Sequence, residues 1–262
     1  MAFCIAGPSR AADPPPCAAY TLAFYELGAL YGRGAGGVHE GIDKDLVEEL
    51  SRRSGCVFTT VLESRVRIWD RLSRRLLDLS VSGIATPERE VFAEFIPYFQ
   101  TRNYVLVTRK VAAEVPTPID FLADKLRTVA VVKSFKHGAL YDAWLDQLRA
   151  QRRVFEMADF PAAWHSLQLG RVDAVLALPT VWGPLLRQPQ LKQQYTTLDW
   201  SPNDRIEHGL IVSKARVAES DKQRLRAAIQ SMLRDGTVEA TFARHLGEVQ
   251  AKQMRIEAVA VK

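Results

Sequence analysis

An alternation of extended and helical segments runs twice along this chain, and it narrows the fold more than any other feature. Residues 20–26 favour β-structure, and residues 43–54 carry Leu46, Val47 and Leu50 at helical spacing before Gly55, where a helix commonly stops. Residues 57–62 read as a second strand. Residues 66–77 read as a helix with Ile68, Trp69, Leu72, Leu76 and Leu77 on one face, which assigns Trp69 to the core, and residues 79–83 read as a third strand. The pattern restarts with a strand at 128–132, helices at 138–149 and 160–169, and a strand at 173–178. Alternation of this kind builds parallel sheets with crossover helices, and two runs imply two sheets. The extended runs 103–110 and 206–214 are suited to carry the chain between them, and a helix at 221–233 returns to the first. The expectation is an α/β protein with two open, mainly parallel sheets joined by a two-strand hinge. Residues 20–104 with 210–262 would form lobe 1, and 105–209 lobe 2.

An apolar share of 47% and a charged share of 25% are those of a folded domain. No apolar stretch approaches the roughly 18 residues of a membrane span. The net charge of +5 is scattered, and pairs such as Arg52-Arg53 and Arg74-Arg75 fall on solvated helix faces. Without a zinc-knuckle, RNP or basic-helix pattern, nucleic acid is not an expected partner. Residues 1–19 differ from the rest. A short apolar run follows Met1, Ser9 and Ala11 stand at a spacing that a signal peptidase accepts, and Asp13-Pro14-Pro15-Pro16 makes a stiff spacer. The stretch before the spacer reads as the tail of an export signal, cut after Ala11, whose start lies upstream; a ragged terminus without a targeting role is the alternative. With Cys4 in that leader, Cys17 and Cys56 remain, each just before a predicted strand. If those strands are parallel neighbours, both cysteines lie at one sheet end within bridging reach. A disulfide and two buried thiols both stay open.

Four motifs occur in order. They are Gly41-Ile42-Asp43-Lys44-Asp45-Leu46; the stretch from Asp78 to Tyr98 with Ser82-Gly83, Thr86-Pro87-Glu88-Arg89 and Phe95-Ile96-Pro97-Tyr98; Gly170-Arg171-Val172-Asp173-Ala174-Val175; and Asp235-Gly236-Thr237 with Phe242 and His245-Leu246-Gly247. Together they resemble the family of bacterial extracellular solute-binding proteins, family 3, that serve polar amino acid ABC transporters. The resemblance covers roughly residues 20 to 248 and implies the type II periplasmic binding protein-like fold. It also implies a periplasmic monomer that captures a small polar solute, needs no cofactor and delivers its solute to an inner-membrane ABC permease.

Thr86 is a good N-cap, Pro87 a natural first helical residue, and Arg89 projects from that first turn. A guanidinium so placed suits a bidentate grip on a carboxylate, and Arg89 matches the arginine that holds the ligand's carboxylate in similar proteins. Ser82 stands at the preceding strand end, with the Gly83 backbone and the Thr86 hydroxyl as companions. Ser134, Lys136 and His137, in the loop before the 138–149 helix, match the turn that closes over the ligand from the second lobe. Relatives place an acid for the ligand's ammonium at a position occupied here by Leu178. Arg65 falls near where they stack an aromatic ring, so Arg65 with Arg89 would suit a second anionic group, unless Arg65 is merely a solvated loop residue. Glu26, at the end of the first strand, is the candidate for a ligand amine. Two other readings share the fold: an accessory or sensor-type binding protein without a transport role, and a dehydratase-like enzyme on cyclic acids, for which no identifiable acid–base pair is present.

Overall fold

A computed structural model describes residues 16–34 and 36–258; Cys4 and the expected cut after Ala11 lie outside them, whereas Ala19, the last residue of the segment read as leader and spacer, already begins the first strand. The first run of the alternation forms β1 (Ala19–Phe24), a small hairpin of β2 (Gly32–Arg33) and β3 (His39–Glu40), α1 (Ile42–Ser54), β4 (Val57–Leu62), α2 (Arg65–Ser73), β5 (Leu79–Gly83), the single turn α3 (Pro87–Glu90) and β6 (Ala93–Thr101). After residues 102–103 come β7 (Tyr104–Thr108), α4 (Arg109–Glu114), α5 (Pro118–Ala123), β8 (Val129–Val132), α6 (Ala139–Ala150), β9 (Val154–Met157), α7 (Phe160–Gln168), β10 (Ala174–Ala177), α8 (Pro179–Leu186), α9 (Pro189–Gln194) and β11 (Tyr195–Leu198). Residues 199–205 lead back to β12 (Ile206–Ser213), α10 (Glu219–Arg234), α11 (Thr237–Leu246) and α12 (Glu248–Met254).

The strands make two five-stranded sheets, ordered β4-β1-β5-β12-β6 and β11-β7-β10-β8-β9. Three strands of each pair in parallel. One strand in each is reversed: β12 runs against β5 and β6, and β7 against β10 and β11. The sheets are therefore mixed, with the parallel strands that the alternation predicted and one reversed strand in each. The reversed strands are those by which the chain has just crossed over. They start at the end where the parallel strands finish, so no crossover helix is needed to turn them. β12 pairs with β6 from Ile206 onward, so the return crossing falls at 199–205, ahead of residue 210.

The parallel strands carry the inner core, with Leu22, Ala23, Leu79 and Val81 almost wholly buried, and α1 covers it with Leu46, Val47 and Leu50. In the second unit Phe121, Trp144 and Trp200 meet edge to face, a geometry that favours aromatic rings. One apolar cluster runs on from the first unit to Val132, Leu178 and Val181 of the second, so the two lobes meet in a continuous buried contact. Arg102 and Asp199, one from each crossing segment, pair at 2.8 Å and tie the two connections together.

The β1–β4 register begins at Ala19↔Val57. It brings Cys17 and Cys56 to the same sheet end, where they are joined by a disulfide with Cα atoms 4.7 Å apart. The bridge closes a loop of sequence separation 39, which in the chain-entropy account stabilises the native state by about 4 kcal/mol. Guanidinium unfolding of the oxidised protein, compared with the Cys17→Ser/Cys56→Ser variant, should show a loss of about 3–4 kcal/mol; equal midpoints would mean that the bridge adds nothing.

Candidate functional site

The parallel strands of both sheets end at a cleft, and the residues that follow those ends line it. Behind the first-lobe wall lies a buried polar knot. Ser82 is one of the few non-glycine residues with positive φ, at 50°, a conformation held only where neighbours over-determine it. Here Ser82 Oγ donates to Asp43 at 2.8 and 2.9 Å, Tyr98 Oη donates to Asp43 Oδ1 at 2.8 Å, and the Ser82 N–H donates to Tyr98 Oη at 2.8 Å. Asp43 reaches this point because Gly41 starts α1 at φ 141°, with its backbone tight against Leu30; a Cβ there would sit 2.4 Å from the Leu30 carbonyl oxygen. Burial pushes the Asp43 carboxyl up to about 7, against the opposing pull of its Tyr98 and Ser82 hydrogen bonds.

The same twist turns the Ser82 carbonyl toward the cleft, where it accepts from Arg65 at 3.1 Å and lies 3.3 Å from His208 Nδ1. Since a carbonyl only accepts, His208 carries its proton on Nδ1; Nε2 has no partner among the described residues. Burial, reinforced by Arg65 and Arg89, holds the imidazole neutral with its pKa down at about 3.

Two guanidiniums dominate the cleft. Arg65, at the first position of α2, is 7% exposed; it donates to the Val81 and Ser82 carbonyls and lies 4.1 Å from the Tyr25 ring centroid. Arg89, 9% exposed, donates to the Ile84 carbonyl at 3.0 Å and, across the cleft, to the Ser134 carbonyl at 2.9 Å. It packs on Trp69 at 3.9 Å from the ring centroid. Burial, with Arg65 beside it, lowers its pKa to about 9, so it stays charged at neutral pH. Neither guanidinium has a carboxylate among its described hydrogen-bond or ion-pair partners. Buried cations without a counter-charge are costly, and an anion placed between the two would offset that cost.

These arginines share a cavity of about 20 Å³ with Ser82, Ile84 and His208 from the first lobe, Asn103 from the crossing, and Ser134, Phe135, Lys136 and Leu178 from the second. A cavity of that size holds about one water. Among the predicted residues, Arg65, Arg89, Ser82, Ser134 and Lys136 are thus brought together, although the Ser82 hydroxyl points back to Asp43. Gly83 lies just behind, where a Cβ would meet the Ile211 side chain at 2.3 Å. Thr86 is committed to capping α3, accepting from the Arg89 N–H at 3.4 Å. His137 is buried with Nδ1 3.4 Å from Asp142, outside the set that lines the cavity. Glu26 borders an adjoining cavity of about 330 Å³ and pairs with His39 at 3.1 Å and Arg33 at 3.7 Å. Trp69, read from its helical spacing as core, is half-buried beside both arginines. Tyr25, Phe135, Asn103 and His208 were not singled out from sequence, although Tyr25 precedes Glu26 at a strand end and Phe135 sits inside the Ser134–Lys136 turn.

Residues 31–248 match the model of the bacterial extracellular solute-binding proteins, family 3. No curated protein is a significant match to the sequence. Among solved structures, the substrate-binding protein of an ABC uptake transporter from Streptococcus pneumoniae with bound histidine is similar at a TM-score of 0.73 and 15% identity, over 93% of this chain and 95% of that one. The arginine-, lysine-, histidine-binding protein ArtJ from Geobacillus stearothermophilus gives 0.70 and 17%, over 89% and 99%. The ancestral amino acid-binding protein AncCDT-1, a precursor of cyclohexadienyl dehydratase, gives 0.70 and 17%, over 87% and 95%. At these identities the likeness shows the two-lobed α/β fold alone.

The raised Asp43 pKa has a definite sign. The native carboxyl holds its proton up to about pH 7, whereas in the unfolded chain it loses it near pH 4. Between those values the native state binds more protons, so this group's contribution to stability falls as pH rises and is constant outside the window. Stability should therefore decline from pH 5 to pH 8 in the parent relative to Asp43→Asn, in guanidinium unfolding at both pH values. Parallel behaviour of the two proteins would mean that Asp43 is ionised throughout.

Proposed function

Since this chain belongs to the bacterial extracellular solute-binding proteins of family 3, we propose that it is a periplasmic receptor that closes two lobes on a small carboxylate-bearing solute, an amino acid or related organic acid, and delivers it to an ABC permease. The observation that carries this reading is Arg89: a buried guanidinium on the first lobe that reaches a backbone carbonyl on the second, with no carboxylate among its described hydrogen-bond or ion-pair partners. A carboxylate presented to it gains a charge-assisted, bidentate contact. Closure needs only that the solute touch both lobes better when they are together. The paired crossing segments leave the lobes free to hinge about residues 102–103 and 199–205, and a monomer suffices for that motion.

Conversion of the solute is not part of the proposal. His208, the one histidine among the described residues that line the cavity, is neutral, and its Nδ1–H is engaged by the Ser82 carbonyl. General acid–base work needs a group whose pKa lies near the working pH and within reach of the reacting atoms. A second reading, an accessory protein without a transport role, is favoured by direct contacts between the lobes. The Ala29 N–H donates to the Thr180 carbonyl at 2.8 Å, and Arg187 reaches the His245 carbonyl at 3.3 Å.

Thermal unfolding of protein stripped of ligand by denaturation and refolding tests the receptor reading. At a hundred times its Kd a true solute stabilises by about 2.7 kcal/mol, a rise of roughly 5–10 °C. The rise should vanish in Arg89→Ala. No shift with amino acids, dicarboxylates or small cyclic acids would favour the accessory reading.

A further inference from the structure

We propose that the solute is a small organic acid with two anionic groups and no ammonium, gripped by Arg65 and Arg89 together; this rests on the receptor reading above. The two guanidiniums lie against the same indole, Arg89 at 3.9 Å and Arg65 at 4.9 Å from the Trp69 centroid, so they act as a pair of neighbouring cations. Both are more than nine-tenths buried, and their described polar partners are backbone carbonyls, which satisfy N–H groups without neutralising charge. The third charged residue on the cavity wall is Lys136, and none of the described lining residues is acidic.

The acids near the cleft are already committed, including the two whose charges reach Arg89: Asp142 accepts from the His137 N–H at 3.1 Å, and Glu88 bonds the Thr86 side chain. Glu63 pairs with Arg71 at 2.6 Å and Arg67 at 3.2 Å, Glu26 with His39, and Asp159 accepts from the Ala162 N–H as the cap of α7. Asp43 lies behind Ser82 and does not line the cavity. At the mouth of β10, where an ammonium would want a carboxylate, the wall is Leu178, 6% exposed. An α-amino acid would thus bring its ammonium into a desolvated space with two cations and an apolar wall. A dicarboxylate supplies one anionic group to each arginine and asks for no anion in return.

Titration calorimetry on the stripped, refolded protein decides between these. The probes are malonate, succinate and glutarate; their amino counterparts aspartate and glutamate; butyrate; and neutral amino acids. One of the dicarboxylates should bind at least tenfold more tightly than aspartate, glutamate, butyrate and the neutral amino acids. Arg65→Gln, with folding verified by circular dichroism, should weaken that dicarboxylate by about a hundredfold while leaving butyrate within threefold. Butyrate as tight as the dicarboxylate would remove the second anionic group, and aspartate, glutamate or a neutral amino acid as tight would remove the exclusion of ammonium. Either result overturns the proposal and leaves the receptor standing. Binding of none of the probes would count against the receptor reading itself. Should Arg65→Gln not fold, the comparison of probes on the parent protein decides alone.

Discussion

A single serine gathers the interactions that give this cleft its shape. The Ser82 hydroxyl is fixed by Asp43, its N–H by Tyr98, and its carbonyl is shared by Arg65 and His208. All of this is made with the backbone of Ser82 in the left-handed region, at φ 50°. A buried carboxyl is expensive, yet here it accepts from both the Ser82 and the Tyr98 hydroxyls, and a network is tolerable when every member is satisfied. Loss of Asp43 would release the end of β5 and with it the carbonyls that hold Arg65.

That dependence explains why the motifs were legible and part of the cavity wall was not. In the four sequence motifs the acids are chiefly struts. Asp45 pairs with His245 and so joins the first motif to the last. Asp78 accepts from the Thr21 N–H and holds β5 to β1, Asp173 accepts from Thr128, and Asp235 fixes Thr237 and Arg53. Residues of this sort sit at fixed spacings because the backbone demands them, so they announce the fold. Arg89 was legible for the same reason, since the Thr86-Pro87 cap dictates where its side chain leaves the turn.

Trp69 packs against the core, as its spacing predicts, beside Phe92 and Phe95; that its indole also carries the two guanidiniums is something helical periodicity cannot say. Phe135 and His208 enter the cleft through a positive-φ turn beginning at Ser134 and through a register shift in β12 between His208 and Gly209. Neither the turn's direction nor the bulge has a signal in the order of hydrophobic and polar residues. The reversed strands escaped for a similar reason. A strand entering from the other lobe has the same composition as one delivered by a crossover helix, and only the path of the chain tells them apart.

The position of β12 also bears on the order in which the molecule can be made. β6 pairs with β12 alone in its sheet, and β12 follows the whole of the second lobe in sequence. A nascent chain can therefore complete the sheet from β7 to β11 as a local, continuous unit, while β5 and β6 wait with open edges for a strand more than a hundred residues downstream of β6. Such long-range closure is slow and leaves unpaired edges exposed to other chains in the interval. Cys17 and Cys56 lie on the early side of that interval. Their bridge can fix β1 beside β4 before the second lobe exists, which shortens the list of edges the unfinished first lobe must leave open.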